Sequence, residues 1–269
     1  MDILNEKFDI IIEGGQSNAE GCGTGPVQKE YTVSPDVLYL DAPKQVSVVE
    51  VEGGTALKIE YFDKPFVIEP ANYHLNEGNL CGDLCLSFAE KYVENGYLEK
   101  GRKLLIIRAG IGGSGFQKGH WGMHDPVYLK MMEMTAYALS LNKENKVVGF
   151  FFQQGEHDAF EKNTPENYQR QINAMLLSVR ERFGETIPFI TADFVQDWKS
   201  KNLEICEPIV NVLRQTAIQN ANSAFVETVG LLSNDQTIQN GDDIHFSCEA
   251  LRLLGIRYFE QWEKLHETR

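Results

Sequence analysis

With 269 residues, the chain is long enough to bury most of the surface its unfolded form would expose, and one large domain over 1–269 is expected. Hydrophobic content of 42% and charged content of 24% are those of a soluble globular protein, while 39 acidic against 25 basic residues give a formal net charge of −14. Such a field repels phosphate backbones and anionic lipid heads, so neither nucleic acid nor a membrane surface is expected as a partner.

The opening "MDILNEKFDI" has no basic region and no apolar stretch of the kind a secretory leader carries. Five cysteines (Cys22, Cys81, Cys85, Cys206 and Cys248), an odd number, point to reduced thiols and a cytoplasmic location. Cys81 and Cys85 stand four apart, not at metal-binding CxxC spacing, and no metal is expected.

In chain order, "FDIII" (8–12) reads as the first strand. Three short strands follow, "VLYL" (37–40), "VSVVEV" (46–51) and "LKIEYF" (57–62), with Gly53-Gly54 as a hairpin turn. Together they suggest an antiparallel insertion at about 37–68. "LCGDLCLSFAEKYVEN" (80–95) reads as a helix, because Leu80, Leu84, Phe88 and Tyr92 recur every four residues. "KLLIIR" (103–108) is a strand, 127–142 a helix and "VVGFFF" (147–152) a strand. Thr164-Pro165-Glu166 is a helix start: a capping hydroxyl, a proline at the first helical position and an early acid. The stripe Tyr168, Ile172, Met175, Leu176, Val179 and Phe183 then faces a core. Strand "PFITA" (188–192), a helix at 208–222, strand "AFVET" (224–228) and a last helix capped by Ser247 complete the chain. Alternating strands and helices predict a three-layer α/β/α fold around a mainly parallel sheet.

In such a sheet the site lies at the carboxyl ends of the strands. Four polar or glycine-rich segments fall there: Gly14-Gly15-Gln16-Ser17-Asn18, "AGIGGSGF" (109–116), "QQGEHD" (153–158) and "GDDIHFS" (241–247). A serine hydroxyl is a weak nucleophile at neutral pH and needs a base, itself oriented by a partner. His245 with Asp242, three residues earlier, offers that pair to Ser17; the adjacent Asp243 diverges. A tetrahedral intermediate needs fixed donors. The N–H of Ser17 is one, an N–H of Gly112 or Gly113 a second, and the Gln154 amide a third.

These segments resemble the SGNH hydrolase superfamily, and more closely its sialate O-acetylesterase and acetylxylan esterase branch, carbohydrate esterase family six. That branch shows GQSNM, GGT, QGE-x-D and D-x-x-H in this order, against "GQSNA", "GGS", "QGEHD" and "DDIH" here, spanning residues 14 to 245. Ala19 replaces the methionine and Ser114 the threonine, and Glu13 stands where an apolar strand residue is common. The resemblance implies Ser17 as nucleophile, His245 as base and Asp242 as its orienter. It implies an oxyanion hole from Ser17, one of Gly112 or Gly113, and Gln154 in place of the superfamily's asparagine. The implied reaction is hydrolysis of carbohydrate acetyl esters without cofactor. The net charge favours neutral acetylated sugars over sialic acids, acting on imported oligosaccharides.

Other readings stay open. Gln16, Asn18 and Glu156 are candidate substrate ligands; Glu156 and Asp158 are either ligands of sugar hydroxyls or braces of their loop through backbone N–H groups. Trp121 and Trp198 are either sugar-stacking platforms or lids on the core. His120, His124 and His157 with Asp125 lie near the rim, at no familiar metal spacing. Gly110–Gly115 matches a dinucleotide fingerprint, but the glycines and proline after it delay any helix. A non-catalytic sugar-binding module, an esterase for lipid or thioester acyl groups, and the oligomeric state are also left open.

Overall fold

A computed structural model describes residues 5–51, 54–76 and 78–267. The chain runs β1 (Lys7–Gly15), α1 (Ser17–Glu20), β2 (Val37–Asp41), β3 (Lys44–Val51), β4 (Gly54–Tyr61), β5 (Val67–Pro70), β6 (His74–Asn76), β7 (Asn79–Cys81) and α2 (Leu84–Glu94). It continues with β8 (Arg102–Arg108), α3 (Pro126–Ser140), β9 (Lys146–Gln153), α4 (Glu156–Phe160), α5 (Pro165–Phe183), β10 (Phe189–Ala192) and α6 (Gln196–Lys201). It ends with α7 (Leu203–Gln219), β11 (Ser223–Val226), α8 (Asn234–Ile238) and α9 (Cys248–Glu267).

Seven strands form the central sheet in the order β11-β10-β9-β1-β8-β2-β5. Every neighbouring pair is parallel except β2 with β5. The chain lays strands outward from β1 in both directions, so the strand order reverses there and a crevice opens at its carboxyl end. The inner strands are covered on both faces, which is why they read as unbroken apolar runs. Ile10, Ile12, Leu105, Ile107, Phe150 and Phe152 point into one buried cluster with α3, α5 and α7. Ile11, Leu104, Ile106 and Phe151 point into the other, with α2 and α9. Helices α2 and α9 touch because Gly255 has no side chain: a Cβ there would lie 2.0 Å from the Leu84 carbonyl oxygen.

The predicted three-layer sheet is present, with three differences in detail. The antiparallel insertion is narrower than 37–68: β3 and β4 form it, whereas β2 is a parallel strand of the central sheet beside β8. Short apolar strands look alike in sequence whichever sheet they join. The proposed hairpin turn includes Gly53, outside the described residues, while Gly54 opens β4. Helix α2 starts at Leu84, not Leu80: Leu80 and Cys81 belong to β7, and the Asp83 carboxylate caps the helix by accepting the Leu86 N–H at 3.0 Å. Helix α7 starts at Leu203, and Pro208, read as its beginning, lies inside it. Thr164 and Ser247 cap α5 and α9 as expected, accepting the N–H groups of Asn167 and Ala250.

Candidate active site

β1 ends in Gly15, whose φ of +133° brings it so close to β9 that a Cβ would sit 2.1 Å from the Gln153 carbonyl oxygen. This sharp exit turns the chain directly into α1, whose first residue is Ser17. The loop from α8 to α9 approaches from the far end of the sequence. There the His245 Nε2 lies 2.9 Å from the Ser17 Oγ, and the His245 Nδ1 lies 2.8 and 2.9 Å from the two Asp242 carboxylate oxygens. A carboxylate only accepts, so Nδ1 carries the proton and Nε2 is left to accept from the serine hydroxyl.

Asp242 is itself held. It accepts the His245 backbone N–H at 3.2 Å and the Asn234 Nδ2 at 2.8 Å. Half-burial would raise its pKa, but the hydrogen bonds from His245 and Asn234 outweigh it and keep the carboxyl below its ordinary value. Asn234 gave no catalytic signal in sequence; its only local mark is the capping box of Ser233 and Gln236 around it. Its side chain also receives the Thr24 N–H and donates to the Cys22 carbonyl, tying the acid to the chain after α1.

Asn18 clamps the two remote segments together. Its Nδ2 donates to the Ile244 carbonyl and to Glu156, and its Oδ1 accepts the Phe246 N–H, so both neighbours of His245 are fixed. Glu156 is fully buried, and desolvation raises its pKa despite the Asn18 bond. Gln16 points inward too, its Oε1 accepting the His157 N–H at 3.1 Å. These three, expected as candidate substrate ligands, are buried and turned into hydrogen bonds within the protein.

Gln154 lies beside the site but is fully buried. Its Nε2 donates to Asp158 at 2.6 Å and its Oε1 accepts from the Tyr168 hydroxyl. An amide held in this way is not aimed at a reacting carbonyl, in contrast to the expected third oxyanion donor. Asp158 also accepts the N–H groups of Phe116 and Gln117, pinning the loop after β8 onto α4. Neither tryptophan offers a platform. Trp121 is 0% exposed and donates to the Ser114 Oγ, and Trp198 is buried against Phe194.

After β8 the chain makes a turn closed by the Ser114 N–H on the Ile111 carbonyl, with Gly113 at φ +73°. Gly112 lies against Ser17: a Cβ on it would be 3.6 Å from the Ser17 Cβ. The next helix starts only at Pro126, so Gly110–Gly115 lacks the helix N-terminus a dinucleotide pyrophosphate needs. A cavity of about 280 Å³ opens beside the turn, between Gly113, His120 and His157 on one side and Val48 and Leu57 of the β3–β4 hairpin on the other. Burial lowers the pKa of both histidines, keeping them neutral. His120 accepts the Gly115 N–H. Among the described residues, the only three metal-ligating side chains whose ligand atoms converge are Glu13, Asp83 and Cys85, and Arg108 stands beside them. No described helix is long and apolar enough to cross a membrane.

A family model described as carbohydrate esterase, sialic acid-specific acetylesterase, matches residues 7–264. Among solved structures, NanS superposes with a TM-score of 0.73 at 19% identity, covering 98% of this chain and 99% of its own. A protein from Arabidopsis thaliana gives 0.62 at 16% identity, with 95% and 98% covered. A carbohydrate acetylesterase from Xanthomonas citri gives 0.60 at 18% identity, over 97% of this chain and 57% of that one. None of the curated proteins matches the sequence.

Proposed function

The chain belongs to the carbohydrate esterase family of sialic acid-specific acetylesterases and is a carboxylic ester hydrolase; from this premise we propose that it removes O-acetyl groups from sugars through an acyl intermediate on Ser17. The observation that carries the reading is the hydrogen-bonded chain Ser17–His245–Asp242, with links of 2.9 and 2.8 Å assembled from residues 228 positions apart.

His245 takes the Ser17 proton as Oγ bonds to the acetyl carbonyl carbon. The negative oxygen that forms meets the Ser17 N–H and an N–H of the turn after β8. The C–O bond to the sugar then breaks, and His245 returns the proton to the leaving alcohol. The same imidazole next deprotonates water, which attacks the acyl-serine and releases acetate. Asp242 holds the ring in the required tautomer throughout.

The sugar occupies the cavity beside Gly113, whose volume of about 280 Å³ suits one sugar unit better than a polymer stretch. Its two histidines are neutral and its lysine, Lys118, pairs with Glu161 at 2.9 Å, so the described lining offers no unpaired cation to a sialate carboxylate. This supports neutral acetylated sugars. A cytoplasmic location, with imported oligosaccharides as substrate, completes the proposal. A second reading draws on Val48, Ala56, Leu57 and Phe160, whose apolar wall would also accept a longer acyl chain.

A fluorophosphonate probe followed by mass spectrometry is expected to label Ser17, and His245→Ala to abolish the label. Labelling of a different serine overturns the mechanism. Across p-nitrophenyl esters, rates are expected to fall sharply beyond acetate; a maximum at four to eight carbons would favour the second reading.

A further inference from the structure

The turn that carries the oxyanion donor is fixed at three points. Its start is held by the Ile111 N–H on the Gly15 carbonyl at 3.1 Å. Its end is held by the Ser114 N–H on Ile111 and the Ser114 Oγ on Gly15. Its middle is held by a carboxylate: Glu20, the last residue of α1, accepts the Gly112 N–H at 2.8 Å. Three of the four consecutive N–H groups are therefore engaged. Among the described residues the Gly113 N–H has no acceptor, and Gly113 is the member of the turn that borders the cavity. The positive φ at the third position of a β-turn is a glycine conformation that turns the central peptide out of the chain's path.

Resting on the acyl-serine reading, we propose that Glu20 is the positioning residue of the oxyanion hole: by engaging Gly112 it fixes the turn against Ser17 and leaves Gly113 as the glycine whose N–H meets the developing negative oxygen. The nucleophile and its second oxyanion donor are thus set by one short helix, with Ser17 at its first position and Glu20 at its last.

The test compares Glu20→Ala, Glu20→Asp and Glu20→Gln by steady-state kinetics on p-nitrophenyl acetate and by the rate of fluorophosphonate labelling at Ser17. Alanine removes the acceptor, and aspartate keeps the charge on a side chain one methylene shorter. Both are expected to lower kcat about 10- to 100-fold, with KM within about twofold, because the donor acts mainly on the transition state. Glutamine still presents an oxygen to Gly112 and is expected to stay within about threefold of the parent. Labelling of Ser17 should slow in step with kcat. Thermal unfolding identifies a variant that does not fold, in which case the Asp–Gln pair carries the comparison. An alanine variant as fast as the parent or faster overturns the inference, the latter because Glu20 would then be a plug that substrate displaces. Equal damage from Gln and Ala overturns it too. If Ser17 in the parent takes no label, the serine mechanism itself fails and this inference fails with it; full labelling with unchanged Glu20 variants sinks this inference alone.

Discussion

Two groups, each of carboxylates with a basic partner, flank the end of β1, and they differ in what surrounds them. On one side Asp242 meets His245 at 2.8 Å, with both side chains about a quarter exposed. On the other, Glu13 and Asp83 are buried beside Arg108, which approaches Asp83 only to 3.6 Å, while one Glu13 oxygen has no hydrogen-bond partner among the described residues. The consequences are opposite. Against the desolvation of half-burial, the hydrogen bonds from His245 and Asn234 hold Asp242 below its ordinary pKa. Burial, together with repulsion from Asp83, pushes Glu13 well above its own, and burial raises Asp83. The residue types are similar, so composition does not separate a reactive cluster from a structural one. The distance to the basic partner and solvation do: Asp242 stays ionised and orients the imidazole, whereas the second group is driven toward neutrality and braces β1, β2 and α2.

The largest expected effect lies in the first group. Asp242→Asn should cut kcat/KM on p-nitrophenyl acetate by about 10³- to 10⁴-fold, because an amide that donates toward Nδ1 favours the wrong tautomer. The fold should survive. The sign of the pH effect follows from the lowered pKa: the stabilising contribution of Asp242 is present above the unfolded carboxylate value and is lost as pH falls through the folded one. Urea midpoints of the parent should therefore drop more steeply than those of the variant on the acid side. A loss of activity under tenfold would mean that another group orients His245.

A smaller effect is expected at Asn18, which joins Ser17's helix to the His245 loop. Asn18→Ala removes the donor to Ile244 and Glu156 and the acceptor of Phe246, leaving buried polar groups unpaired. A 10- to 100-fold fall in kcat is expected, together with a lower melting temperature. Unfolding at a lower temperature with unchanged kcat would restrict Asn18 to a structural role and blur the distinction between the two groups.

Much of this site was legible because its signals are local. Gly15-Gln16-Ser17 marks a sharp strand exit, and Asp242 with His245 fits within one turn, so each half could be recognised from a few residues. The sheet was legible for the same reason: Ile10–Ile12 and Phe150–Phe152 are apolar runs that only two-sided burial explains. What escaped the sequence depends on distant partners. Glu20 acts on Gly112, 92 positions away, and Asn234 reaches Cys22 across 212. Trp121 and Trp198 were ambiguous because an aromatic ring serves a core and a sugar platform equally well; only burial decides. Gln154 had the right position but lies within reach of Asp158, whose carboxylate holds the amide inward.

Glu13, an acid in the middle of an apolar strand, had no explanation in sequence, and the structural group gives it one that can be measured. Its Oε1 is buried without a hydrogen-bond partner among the described residues, and desolvation is the main reason its pKa is raised, with Asp83 adding to it and Arg108 opposing. A carboxyl whose folded pKa exceeds its unfolded one favours folding below the unfolded value and progressively loses that contribution as pH rises toward the folded one. Glu13→Gln is nearly isosteric and does not ionise, so it should resemble the parent near pH 4 and melt a few degrees higher at pH 7, with esterase activity retained. The difference in melting temperature between the two proteins should widen steadily over that interval. If it stays flat, the Glu13 carboxyl has the same pKa folded and unfolded, and if it reverses, Glu13 is ionised and stabilised by Arg108; either result reduces the contrast between the two groups to the distance to the basic partner.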